Sequence, residues 1–590
     1  MAAKPLALTA LVALSGLLVY AVALRQGLTP SVAWYWLLIG VIDGAIMLQI
    51  LLDSGRGHSR GDWLILAQIA GLTVLLSLMV VWVAPYGLFG RDPHFNLSAT
   101  EAIGRWGWPV PDDAGLLKRT HNYSLWPGMD VLNLTISEIT GISHLELARY
   151  LPGAVKVLSV VFLYIVAKSM FRSGQAGLLA ALAVAHITTH VVFQAEYVRE
   201  AFAFPLLMGV AALVVKGRLD MRGRVIVLVL LGAIAFYHHL TSLIALLLIA
   251  TVAVGYWLTS LERPPFRGRF LQTVTLASAE SRGTLAVFAG IIFFAYAVYI
   301  GPLIIEVLAD EIKRLVDLHL GSSAVVGAAA DARQQFVYYG GWTVTGIMGV
   351  TLFVYLGYRY LVVRAGPRWS PAELPLFLWV ALVGAWVAAS NYGGVLIGAD
   401  PMRLLTFGYP FLLLLFAQVG LHTVASKGLP SGALPALTMM TVAVFLAVNL
   451  LNLNGYVFDP SGQPDYRTGE VSLAYPPELY AANDWQVQAL PSGAVLAGDV
   501  STREILGGLS QREVVPDPDF YQSAGASGQY DGFVLREEMS RLSYFARVRG
   551  QYRFFPLDRE ELDRLLDLRN YALAYDNGDT RILVSEKVRP

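Results

Sequence analysis

An apolar run over 63–84 gives way to Gly90-Arg91-Asp92-Pro93-His94. A carboxylate a few residues past such a run sits where water meets lipid. It keeps its charge there but faces a reduced dielectric, which suits a general base or an electrostatic stabiliser. The bland alternative for Asp92 is a turn ahead of Pro93. His94 follows as a partner base, a metal ligand or an interfacial side chain. A second charged group is Gln194-Ala195-Glu196-Tyr197-Val198-Arg199-Glu200, where Glu196, Arg199 and Glu200 share one helical face by their i+3 and i+4 spacing. It lies between two apolar stretches, where charges are costly and commonly functional. Glu196 is its candidate acid and Arg199 its candidate phosphate contact, against a solvated ion-paired turn.

Three further places hold donors for an anion. His238-His239 occupies a short turn between apolar runs. Adjacent histidines cannot share one helical face, so they do not form a two-His metal site by themselves. His239 is the candidate phosphate donor. Lys118, Arg119 and His121 follow one another between Gly104 and Trp126-Pro127, with Lys118 as a candidate donor to phosphate. Asp400-Pro401-Met402-Arg403 stands at the mouth of a late apolar run. A guanidinium there stays charged near lipid and forks onto phosphate oxygens. Snorkelling to headgroups, or pairing with Asp400, would explain Arg403 equally simply.

These residues need a scaffold, and the composition names its solvent. The chain has 590 residues, 56% of them hydrophobic and 15% charged, with a mean hydropathy of +0.55. Soluble domains carry roughly 25% charged residues, so an ordinary cytosolic enzyme and a disordered chain are excluded. Lys and Arg number 43 and Asp and Glu 43, so no bulk charge attracts nucleic acid. There is no cysteine, which excludes disulfides, thiolate metal sites and thiol catalysis. A bilayer core of about 30 Å takes roughly 20 apolar residues of helix, and about thirteen segments qualify or come near. They lie near 5–24, 32–52, 63–84, 151–171, 176–193, 201–215, 225–237, 239–258, 284–308, 342–358, 373–390, 404–424 and 434–453.

Arg and Lys concentrate in alternate short loops, at Arg56 and Arg60, Lys168 and Arg172, Lys216 to Arg224, Arg263 to Arg282, and Arg359 to Arg368. Such loops face the cytoplasm. The N-terminus is then cytoplasmic, in the plasma membrane, and the residues singled out above gather on the outer side. The sequence therefore divides into an N-terminal transmembrane hairpin (1–62), a transmembrane core (63–453) with an outer loop over 85–150, and a polar external domain (454–590). The external domain reads as α/β. It has helical spacing over Pro477–Leu490 and a short strand over Ala494–Gly498. Ser501 is the expected N-cap of a helix through Leu509, and Asp558 with Glu561 makes a capping pattern. Asn577-Gly578 between two strands predicts a type I′ hairpin.

The order of features in the outer loop resembles the GT-C superfamily of membrane glycosyltransferases, of the protein O-mannosyltransferase and aminoarabinose-transferase kind. The features are Asp92 just after a span, Gly104 at a helix end, Trp126-Pro127, and Thr140-Gly141 ahead of the next span. The resemblance covers roughly 63–425 and departs from the family in the two spans that precede it. It implies an all-α polytopic GT-C-like membrane fold with an external α/β domain. It also implies transfer of a sugar, with inversion, from a polyprenyl-phosphate donor to a glycan, lipid or protein acceptor among membrane lipids. A monophosphate donor need not require a metal, whereas a pyrophosphate donor would more often use a divalent cation. Asp92 and Glu196 match the family's two acidic positions, and Arg403 its late arginine. A lipid-linked sugar flippase or other transporter is the rival class; it would show repeat symmetry and broken helices at mid-membrane.

Asp43 lies in mid-span with Gln68 as an expected partner. Asp517-Pro518-Asp519 has a D-x-D shape that a loop explains. Asn96, Asn122 and Asn133 head acceptor sequons. For topology, a reporter fused after Gly455 should read as external and one within Lys216–Arg224 as cytoplasmic. The same side for both would remove the thirteen-span arrangement.

Overall fold

The computed structural model describes residues 3–261, 269–300, 344–353, 373–393, 401–422, 433–457 and 467–588, less 27, 29, 53–58, 83, 85–86, 91, 113, 217–218, 469–470, 473–474, 523–529, 543, 549–550 and 555–556. The outer stretch over 309–341, Asp400, and Arg263, Arg267, Arg359, Arg364 and Arg368 lie outside the described residues. Among those described, seven helices are long and apolar enough to cross a membrane: Lys4–Arg25, Val32–Leu52, Gly61–Trp82, His144–Phe171, His239–Ser260, Ala279–Tyr299 and Leu404–Leu421. Shorter apolar helices accompany them, among them Glu373–Val387 and Ala436–Leu451. The chain is a multi-pass helical membrane protein with a C-terminal α/β domain.

The helices that position the site are α1 (Ala3–Arg25), α2 (Val32–Leu52), α3 (Ser59–Trp82), α4 (Asp92–Trp106), α5 (Lys118–Ser124), α6 (Gly128–Thr140), α7 (His144–Phe171), α8 (Gly174–His186), α9 (Thr188–Phe193), α10 (Arg199–Val214), α11 (Met221–Tyr237) and α12 (His239–Leu261). In the bundle α3 packs on α7 and α8, α7 on α10, and α10 on α11 and α12. The loop over 85–150 contains three helices, α4 to α6. α6 stops at Thr140 because Gly141 takes a left-handed conformation (φ 72°) as its C-cap, and Ser143 caps α7 by accepting from the Glu146 N–H at 3.2 Å.

The expected single span over 176–193 is two helices, broken at Ile187. Asn449 of the helix Ala433–Val457 makes the break tolerable. Its side-chain oxygen accepts from the Thr188 N–H at 3.2 Å, and its carbonyl accepts from the Thr188 hydroxyl at 2.9 Å. A backbone group freed in an apolar setting needs such a partner. Asp43 also differs from expectation. Gln68 pairs with Gln49 at 2.9 Å, and Asp43 instead meets His186 Nε2 at 3.1 Å.

The C-terminal domain is built on five strands: β3 (Val495–Gly498), β4 (Glu513–Pro516), β5 (Gly532–Arg536), β8 (Tyr571–Asp576) and β9 (Thr580–Ser585), in the order β4-β3-β5-β9-β8. β3 runs parallel to β4 and β5, and β9 is antiparallel to β5 and β8. The short pairs β1 (Arg467–Thr468) with β2 (Val471–Ser472), and β6 (Tyr544–Val548) with β7 (Gln551–Phe554), stand apart. Every residue of β5 is buried, as a central strand covered on both faces requires. Val534 joins Leu479, Leu496 and Ile505 on one side. Phe533 and Leu535 join Phe520, Tyr521 and Leu565 on the other.

The capping box of Asp558 with Glu561 is present as expected. Two local expectations fail. The helix expected from Ser501 is capped by Asp499, whose carboxylate accepts from the Thr502 N–H at 2.8 Å, and it widens into a π-turn over Arg503–Gly507. The Asn577-Gly578 turn has positive φ only at Gly578 (94°), so it is not type I′. Asn577 instead donates its amide to the Glu478 carbonyl at 2.8 Å.

A buried ion triad ties the sheet to that helix. Arg536 bonds Asp499 at 2.7 Å and Glu538 at 2.9 Å. Removing one member of a buried ion network strands the others, at a cost of roughly 3–5 kcal/mol. Arg536→Ala should therefore speed proteolysis of the C-terminal domain in the full-length chain by at least tenfold. Unchanged cleavage would mean that the triad contributes nothing to stability.

Candidate active site

Asp92 occupies the first turn of α4, where unpaired N–H groups favour a carboxylate. It is ion-paired to Arg119 of α5. The other arm of that guanidinium donates to Glu504 Oε1 at 3.0 Å, and Arg503 Nη2 reaches the same oxygen at 3.0 Å. The Arg119 side chain lies over the Phe95 ring, 4.4 Å from its centre. Asp92 stays 45% exposed and Arg119 34%, whereas the Glu504 side chain is 2% exposed. Burial works against charge on Arg119, but Tyr123, Glu504 and Asp92 outweigh it and hold the guanidinium firmly charged. Burial pushes the Tyr123 hydroxyl up to about 12, so it remains a neutral phenol.

A buried layer lies beneath this group. Arg199, at the start of α10, donates to the Trp126 carbonyl at 2.9 Å, to Asp130 at 3.1 Å and to the Asn96 side-chain oxygen. Thr100 adds a 2.6 Å bond to Asp130 and meets the Tyr197 hydroxyl at 2.9 Å. Each nitrogen of the Arg199 guanidinium thus makes one bond within the protein, and together these bonds tie α4, α6 and α10 to one another. Tyr123 lies between the two layers, with Arg119 5.8 Å and Arg199 5.1 Å from its ring centre.

Glu196 comes to the same place from the loop ahead of α10. Gly90, two residues before Asp92, has φ +94°, and a Cβ there would run into the Glu196 carboxyl group. Only glycine combines that backbone conformation with so close an approach. The Glu196 carboxyl group, more than a hundred residues on in the chain, therefore packs against the backbone two residues before Asp92.

The other sequence-derived residues are placed as follows. His94 is buried and turns to the C-terminal domain, with Nε2 2.9 Å from the Tyr480 hydroxyl. Lys118 is exposed at the start of α5. His239 opens α12, its ring 4.8 Å from that of Trp126. His238 bonds Thr241 at 2.8 Å. Arg403 lies in the first turn of the helix Pro401–His422, and its side chain is outside the described residues. The Asp517 carboxylate caps the helix Pro518–Gln522 by accepting from the Asp519 and Phe520 N–H groups, and it accepts from Tyr530 at 2.6 Å. Its D-x-D shape is therefore a turn. Among the described residues no three His, Asp or Glu side chains converge as a metal cage would.

Sequence reasoning missed Arg119, Asp130, Arg503 and Glu504 as site residues. Arg119 stood beside the candidate Lys118. Its signal was Tyr123 one helical turn on, which marks a guanidinium stacked on a ring. Glu504 carried no signal, because its partner is 385 residues away in sequence.

No family model and no curated protein matches the chain. Among solved structures it is similar to ArnT from Cupriavidus metallidurans. Against the crystal structure bound to undecaprenyl phosphate the identity is 14%, covering 89% of this chain and 98% of that one, with a TM-score of 0.47. Against the apo structure of the same protein the identity is 14%, covering 87% and 97%, with a TM-score of 0.46.

Proposed function

We propose that the chain is a membrane glycosyltransferase that moves a sugar from a polyprenyl-phosphate donor to an acceptor on the outer face of the membrane. The observation that carries this is Asp92, just beyond the apolar helix α3 and ion-paired to Arg119, with the Glu196 carboxyl group against Gly90 two residues before it. The loop order Asp92, Gly104, Trp126-Pro127, Thr140-Gly141 supports it from the sequence side. The acceptor hydroxyl attacks the anomeric carbon of the donor as the bond to the lipid phosphate breaks. Asp92 takes the hydroxyl proton, the phosphate leaves with the electron pair, and a single displacement inverts the centre. Glu196 would support positive charge developing on the sugar. The donor enters sideways from the bilayer, and Arg403, with Lys118 and His239 on the outer side, would hold its phosphate.

A flippase for the same lipid is the second reading. The observation favouring it is the mid-bundle set of Asp43 with His186, and of Lys156 and His190, the last two buried without hydrogen-bond partners. Transfer of labelled sugar in detergent, where no bilayer exists to flip across, separates the two.

Replacing Asp92 by Asn should lower transfer by about 10²–10⁴-fold while the protein still folds and inserts. Near-normal turnover in a purified assay would remove Asp92 as the base. Donor affinity should fall in the order Arg403, Arg403→Lys, Arg403→Ala. The Ala variant should lose about 2–4 kcal/mol, because it leaves the phosphate without its fork. Equal affinities in a titration of polyprenyl-phosphate sugar, with Asp400→Asn as control, would take Arg403 out of the site.

A further inference from the structure

The C-terminal domain reaches the candidate site at one charged residue. Glu504 is buried, its Oε1 accepts from both Arg119 and Arg503, and its Oε2 has no hydrogen-bond partner. Burying a carboxylate that is only half satisfied is a poor way to gain stability. Moreover, the residue sits in the π-turn Arg503–Gly507, a local widening of the helix that is uncommon and found most often at functional sites. The same helix is fastened to α4, with the Ser98 hydroxyl donating to the Gly508 carbonyl at 2.6 Å. Tyr480 fastens to His94 beside it. Glu504 is therefore held in a fixed place relative to Asp92.

We propose that Glu504 is a positioning residue through which the C-terminal domain sets the basicity of Asp92, by sharing Arg119 with it. This rests on Asp92 being the base of the reaction proposed above. Two guanidiniums, Arg119 and Arg503, and two carboxylates, Asp92 and Glu504, form a neutral group. Removing the Glu504 charge leaves Arg119 wholly to Asp92 and adds one net positive charge beside it. Both effects favour ionised Asp92 and make it a weaker base. Glu196 at Gly90 and the neutral Tyr123 phenol are the remaining titratable neighbours. Lys118, beside Arg119 on α5, is exposed to solvent, and His94 turns to Tyr480. Of the further charged groups on helices packed against α4, His121 pairs with Asp112, Asp130 with Arg199, and Arg149 with Glu146 and the Ala84 carbonyl.

The sign of the effect follows. Glu504→Gln keeps the shape and the acceptor oxygen but loses the charge, so the acid limb of the pH profile of kcat should move about one unit toward lower pH. At neutral pH kcat should fall about three- to tenfold with donor KM unchanged, because only the proton-transfer step weakens. Glu504→Asp should restore the limb. Arg503→Gln removes the other partner of Glu504, draws Arg119 toward it, and should move the limb the opposite way.

A second measurement needs no substrate. Asp92 is exposed enough to couple with a water-soluble carbodiimide and an amine, a reaction of the protonated carboxyl. Peptide mass spectrometry on the full-length protein across pH gives its midpoint. The midpoint should fall in Glu504→Gln and rise in Arg503→Gln. Superimposable midpoints in wild type and both variants overturn the proposal, and so does a purely structural loss, seen as lower yield with an unmoved limb. If the midpoints shift as expected but wild type transfers no sugar, the charge coupling stands and the glycosyltransferase reading falls.

Discussion

One guanidinium shared by two carboxylates from distant parts of the chain joins the C-terminal domain to the loop over 85–150. Arg119 takes Asp92 from the mouth of the bundle and Glu504 from the C-terminal domain. An arginine can do this because its donors project in a fixed fork and it never loses its charge. A lysine would offer a point charge and no preferred angle between the two acceptors. Arg119 also rests over the Phe95 ring, which packs its guanidinium from one side.

The layer beneath makes that arrangement rigid. Arg199 binds a backbone carbonyl, an amide oxygen and a carboxylate, each from a different segment of the outer loop or its borders. Such a network is costly to desolvate, and its strength lies in joining several segments through one side chain. The outer loop is thus pinned at its centre, although it runs for more than fifty residues between α3 and α7.

Much of this was legible in sequence where the physics is local. Most spans, the Asp558–Glu561 capping box and the Thr140-Gly141 stop are set by periodicity and by residues a few positions apart. The Ser501 cap and the type I′ turn, local as they are, gave way to Asp499 and to the bond from Asn577 to Glu478. Asp92 and Glu196 were legible as charges at apolar boundaries, but the close approach of the Glu196 carboxyl group to Gly90 was not. The break at Ile187 was not, because the partner that makes it tolerable, Asn449, lies 261 residues away. The choice of Lys118 over Arg119 shows a further limit: neighbouring cations differ only in which one the fold turns inward. For Asp43, sequence named the right class of partner, a polar side chain in another helix, but could not tell Gln68 from His186.

The position of Glu504 has a consequence for biosynthesis. A ribosome adds residues in order, and residue 504 is made only after all the helices of the bundle. A nascent or truncated chain can hold a completed bundle with Asp92 at its mouth and still lack the acid that shares Arg119. The charge balance around Asp92 therefore appears last, when the C-terminal domain has folded and closed onto α4. A partly made copy in the membrane has the groups of the site but not their final tuning, so premature termination separates having those groups from having them set.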